Sequence, residues 1–154
     1  MKVESALEGR LQEIFEILPF DRAMSELSPF TSATTPELRD LILALDTRPE
    51  ILAGLWLYVD ELGRSHEVSQ AIDSSTGSYW HAIMHRREGD FGNSKYWLLK
   101  TGDHPVICEL GYVPTEFVDE CESDRGRNSP KLIEQQRREW KALFDFCVRE
   151  ATDD

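Results

Sequence analysis

The sequence predicts an all-α protein, a single domain built as an irregular bundle of five to seven helices. Three observations predict it. Apolar residues recur at spacings of three and four along most of the chain. Proline and short hydroxylated or acidic residues stand where such runs begin. Few stretches alternate with the two-residue period of a strand, and no repeat or low-complexity segment interrupts the pattern. A chain of 154 residues is the size of one ordinary domain, so residues 1–154 are read as one helical unit.

The elements follow in order. Val3, Leu7, Leu11, Ile14, Phe15 and Leu18 give a first helix its apolar face, and Pro19 ends it. A loop rich in Ser, Thr and Pro runs from Ser25 to Thr35. Thr35 then caps a second helix that opens at Pro36 and turns Leu38, Leu41, Ile42 and Leu45 inward. Thr47 and Glu50 have capping-box spacing, so a third helix is expected from Pro49 to Leu62, with Gly63 ending or bending it. Arg64 to Ile72 reads as helical, and Asp73 to Gly77 as a turn. A helix from Ser78 to Glu88 follows, stopped by Gly89. Asp90 to Gly102 mixes Gly, Asn and aromatics and has room for a short helix around Ser94 to Lys100. Val106 to Leu110 reads as a short strand or helix, and Thr115 to Cys121 as a helical turn or two. Glu122 to Ser129 is a solvated loop. Ser129 then caps a last helix that starts at Pro130 and buries Ile133, Gln136, Trp140, Leu143, Phe144 and Cys147.

Charge and cysteine usage exclude some functions. Lys and Arg number 17 against 29 Asp and Glu, a formal net charge of -12. That mean field repels phosphate polymers and anionic membrane surfaces, so neither nucleic acid nor membrane is an expected partner. No apolar run approaches the roughly 18–20 residues needed to span a bilayer. The amphipathic N-terminus, with Glu4, Glu8, Glu13 and Glu16, lacks the continuous apolar stretch of a signal peptide. Cys108, Cys121 and Cys147 are odd in number and widely spaced. They point to reduced thiols in a cytoplasm, each acting as a small hydrophobe.

One segment stands apart. From Arg64 to His104 there are five basic residues (Arg64, Arg86, Arg87, Lys95 and Lys100) and five acidic ones (Glu67, Asp73, Glu88, Asp90 and Asp103). All four histidines, His66, His81, His85 and His104, lie in this formally neutral stretch, so residues 64–105 are the expected site. At about 100° per residue, His81, His85 and Glu88 fall within roughly 60° on one helix. Trp80, Ile83 and Met84 make an apolar stripe beside that ridge, while Tyr79 and Arg86 point the opposite way. If the segments on either side of the Asp73–Gly77 turn are antiparallel helices, His66 comes level with His85. His66, His81, His85, Glu88 and His104 are therefore the candidate ligands of a divalent metal: zinc, nickel, manganese or iron. Neither the HExxH pattern, in which Ala82 replaces the Glu, nor a Glu-x-x-His pair is present.

His81, His85, Glu88 and Asp90 are the candidate catalytic residues, with His as general base or ligand and Glu88 as ligand or orienter of a His. Arg86, Arg87, Asn93 and Lys95 are expected to hold a small polar or anionic molecule, and Tyr96 and Trp97 to supply a flat wall. The adjacent arginines sit about 100° apart and cannot serve one patch together; an ion-pair network closing the helix end is the competing role. Asn93 is expected to cap a following helix, and His104, before Pro105, to lie in a loop.

The block Trp80-His-Ala-Ile-Met-His-Arg-Arg-Glu-Gly-Asp-Phe-Gly-Asn-Ser-Lys-Tyr-Trp97, with Gly102-Asp-His-Pro105, resembles the signature of a family of uncharacterised bacterial and fungal proteins. The resemblance covers about a quarter of the chain and implies no reaction and no cofactor. Three readings follow from the residues. The first is an enzyme, with metal-assisted hydrolysis as its chemistry if a metal is held. The second is a non-catalytic binding domain whose groove is lined by Tyr79, Trp80, Phe91, Tyr96 and Trp97. The third is a purely structural His and Arg network.

Overall fold

The computed structural model describes residues 2–152. Among them the chain forms nine helices and no strand: α1 (Lys2–Ile17), α2 (Pro36–Leu43), α3 (Pro49–Tyr58), α4 (Leu62–Ser69), α5 (Ser75–Arg87), α6 (Phe91–Thr101), α7 (Pro105–Leu110), α8 (Pro114–Asp124) and α9 (Pro130–Thr152). The all-helical class is as expected; the count of five to seven is too low. The segments that periodicity left ambiguous all become helices. Pro105 and Pro114 open α7 and α8 at the first helical position, where the missing N–H costs nothing.

Several boundaries differ from the expected ones. Thr47 does not cap α3: the capping residue is Arg48, held extended at ψ 145°. A Thr47 cap would force Arg48 into helical backbone directly before Pro49, which the proline ring disfavours. The α3 helix ends at Tyr58 and not at Leu62. Asp60 adopts φ 62°, and the N–H groups of Asp60 and Glu61 turn back to the carbonyls of Leu57 (3.0 Å) and Trp56 (2.8 Å). This is a Schellman closure with aspartate in the usual glycine place, and Gly63 lies inside α4. Gly77 belongs to the first turn of α5, where Ser74 Oγ accepts its N–H at 3.2 Å. Ser129 gives its hydroxyl to Asp124.

The core is built around α3, which buries Ile51 and every residue from Ala53 to Tyr58. The long α9 lays Trp140, Leu143 and Phe144 against it, and Trp140 Nε1 donates to the Gly54 carbonyl at 2.8 Å. Such side chains each contribute about 1.5–3 kcal/mol when fully buried. A smaller cluster joins Leu27, Phe117, Cys121 and Ile133. Cys121 and Cys147 are buried, with thiols pushed up by burial to about 11 and about 12; Cys108, also read as a small hydrophobe, is exposed.

Three close approaches fix α4 on α3, α6 on α5, and the turn between α4 and α5. Ser65 Oγ on α4 donates to the Ala53 carbonyl at 2.9 Å, and Ser94 Oγ on α6 donates to the Ala82 carbonyl at 2.7 Å. A Cβ on Gly77 would lie 2.4 Å from the Ile72 carbonyl oxygen, so only glycine lets α5 start there. Among the described residues no helix is long and apolar enough to cross a membrane.

Candidate metal centre

The arrangement begins with helix register. His81 and His85 are one turn apart on α5, and α4 packs beside it and presents His66. The His66 ring lies edge-on to His81 (centroids 4.8 Å apart, 88° between planes) and to His85 (5.4 Å, 67°). His81 and His85 stack at 4.7 Å and 29°. One donor nitrogen from each of the three falls within 4.8 Å of the others. His81 and His85 are buried and His66 is half-buried.

Each ring is held differently. His85 Nδ1 is 2.6 Å from Glu88 Oε1 and 4.0 Å from Asp90 Oδ2. A carboxylate there accepts from Nδ1–H, and in the neutral ring that tautomer leaves Nε2 as the ligand nitrogen. Glu88 is the C-capping residue of α5. Gly89, at φ 85°, then reverses the chain, with the Asp90 N–H returning to the His85 carbonyl at 2.8 Å. The turn that ends the helix therefore brings the carboxylates back to His85. His81 is only 3 % exposed, and its Nδ1 has no hydrogen-bond partner. Its ring lies flat on Trp97 of α6, 3.8 Å between centroids and 13° between planes. Burial, and after it the neighbouring His85 and His66, pushes the His81 pKa down to about 4. The imidazole is neutral near pH 7, as a metal ligand must be.

The remaining expected site residues lie elsewhere or are committed. His104 is a buried helix cap and not a loop ligand. Its Nδ1 accepts the Val106 N–H at 3.1 Å and its Nε2 meets Thr76 Oγ1 at 3.0 Å, so both ring nitrogens are used. Burial lowers its pKa to about 4. Arg86 points away from the His ridge, as the helical wheel requires. It pairs with Glu139 (2.8 Å), bonds Gln136 (3.3 Å) and covers the Phe117 ring. Arg87 is fully enclosed by Asp60 (2.8 Å) and the carbonyls of Leu57 and Glu26. The ligand-holding role expected of these arginines gives way to ion pairs with distant elements. Lys95 pairs with Asp119 of α8 at 2.6 Å.

Asp90, not Asn93, caps α6: its Oδ1 accepts the Asn93 N–H at 3.3 Å, which places Tyr96 and Trp97 in the second turn. Tyr96 is exposed, and Lys100 Nζ lies about 5 Å from the Tyr96 and Trp97 ring centres. Tyr79 and Trp80 belong to the core and cannot line a groove. What sequence reasoning missed is the pair of small buried residues that seat the flanking helices: Ser65 docks α4 on α3 and Ser94 docks α6 on α5.

Comparison with protein-family models, curated proteins and solved structures gave no match.

Proposed function

We propose that this protein binds one divalent transition-metal ion through His66, His81 and His85, and that it is a metal-dependent hydrolase. The observation that carries the reading is the His81 Nδ1, buried without a partner inside a cluster of three imidazoles. A histidine buried for packing alone has its ring nitrogens satisfied, as His104 does in the same molecule. Three imidazoles without a thiolate suit zinc, nickel or iron(II) better than magnesium or calcium. Nitrogens about 2.0–2.1 Å from a tetrahedral zinc stand roughly 3.4 Å apart. Donors already within 4.8 Å reach that spacing by small side-chain shifts.

A metal held by His66, His81 and His85 would supply an acidified water and polarise a carbonyl. Glu88 orients His85 and strengthens it as a donor. Asp90, half-exposed and 4.0 Å from His85 Nδ1, would be the candidate base for the water's proton, which would pass to the leaving group. The aromatic face of Trp97 fixes the His81 ring where no hydrogen bond does.

Elemental analysis of untagged protein tests the reading. About one equivalent of metal is expected, falling at least tenfold in His81→Ala and His85→Ala. A wild-type protein with no bound metal and no affinity for added zinc, nickel or manganese would sink it.

A further inference from the structure

The formal neutrality of residues 64–104 does not survive folding. Four of the segment's five cations are paired with acids from outside it: Arg64 with Glu61 (3.7 Å), Arg86 with Glu139 (2.8 Å), Arg87 with Asp60 (2.8 Å) and Lys95 with Asp119 (2.6 Å). The segment's own acids, Glu67, Asp73, Glu88, Asp90 and Asp103, are all exposed. Two of them, Glu88 and Asp90, stand directly at His85. The one remaining cation, Lys100, rests over the Tyr96 and Trp97 rings. Arg86 and Arg87, whose forks could recognise a phosphate or carboxylate, are buried in the core, and the exposed Arg64 is drawn over Trp56 beside Glu61.

We infer that the substrate of this centre is a neutral or ammonium-bearing amide or ester, and not a phosphate ester or another anion. The inference rests on the metal-dependent hydrolase reading above. Glu88 and Asp90 would offset the charge of a divalent ion, so an anion would gain little from the metal and would meet two carboxylates against the single cation Lys100 over Trp97. An ammonium group on the substrate finds the same two carboxylates as partners, and the Trp97 and Tyr96 rings offer an apolar wall beside them. In the hydrolysis, water oxygen bonds to the carbonyl carbon and the carbon–nitrogen or carbon–oxygen bond breaks. The departing atom takes the proton released by the water. No oxidant or further reactant is consumed.

The test reads ligand charge at the metal and needs no substrate. Untagged protein is loaded with cobalt(II), and its visible spectrum is followed during titration with three imidazoles alkylated on one nitrogen. They share one donor nitrogen and carry a propyl, a sulfopropyl or a trimethylammoniopropyl arm. The cationic arm is expected to bind at least about fivefold more tightly than the sulfonate arm at low ionic strength, with the neutral arm between them. Added salt should shrink the gap. Asp90→Asn, which keeps the capping oxygen of α6 and removes the charge, should shrink it by about half. Equal affinities, or tighter binding of the sulfonate, would overturn the inference while leaving the metal site intact. Failure to take up cobalt at all would instead sink the metal reading beneath it.

Discussion

His104 and His81 are both buried, and they differ in what their ring nitrogens meet. His104 must keep Nδ1 unprotonated to accept the Val106 N–H that starts α7. Burial holds its pKa at about 4, against 6.5 for an exposed histidine. As pH falls through 6.5 the unfolded chain therefore takes up the proton before the folded one does. The contribution of His104 is full above that pH and is lost progressively toward pH 4. The urea midpoint of the metal-free protein should fall across that window. His104→Asn, which can still cap α7, should flatten part of the fall. It should cost about 1–3 kcal/mol at neutral pH through lost contact with Phe146 and Tyr79. An unchanged pH slope in the variant would remove His104 as its source. The His81, His85 and Glu88 ridge was legible in the sequence because helical spacing alone places those side chains. The fates of Arg86 and Arg87 were not. Their partners Glu139 and Asp60 lie 53 and 27 residues away, and nothing local encodes those pairings.

At the scale of elements, glycine separates positions that composition treats alike. Gly77 and Gly63 both lie in the first turn of a helix. A Cβ on Gly63 meets nothing within 4 Å, whereas one on Gly77 would press into Ile72 at 2.4 Å from its carbonyl oxygen and 2.6 Å from its Cβ. Gly63→Ala is expected to stabilise the protein by about 0.5–1 kcal/mol through helix propensity. Gly77→Ala should destabilise it by about 2–4 kcal/mol, because the α4–α5 connection must move. Thermal melts of the two variants should shift in opposite directions, and a shift in the same direction contradicts the packing described for Gly77. The same contrast explains which helices could be read in advance. Those with a wide apolar stripe, α1, α2 and α9, were clear from periodicity. The short α7, and α6 with its Gly and Asn, have no such stripe and depend on neighbours to become helical. The α3–α4 break depends on Asp60 holding left-handed backbone while its carboxylate engages Arg87, a tertiary contact.

Across the whole molecule, α5 has two opposed roles. One side carries the imidazoles, and the other sends Arg86 to a buried network in which Tyr112 donates to Glu139 at 2.6 Å and meets the Tyr79 hydroxyl. Arg86 and Glu139 are both almost fully buried, so removing either one leaves an uncompensated charge away from water. Burial lowers the affinity of Arg86 for its proton and Glu139 restores it, with restoration dominating, so Arg86 stays charged in the folded state. Arg86→Met and Glu139→Leu should each cost about 3–5 kcal/mol, whereas the double substitution should cost clearly less than their sum, since it leaves no lone charge. Urea unfolding of the four proteins gives the cycle, and additive losses would contradict an ion pair at this position. The metal affinity of the folded variants supplies the complementary measurement. Arg86 directly follows His85 in sequence, yet its hydrogen bonds and its cation–π contact go to α9 and α8. Metal affinity within about twofold of wild type in the folded double variant would place the network in stability alone. A tenfold loss would mean that the α5–α9 contact sets the height at which His81 and His85 face His66.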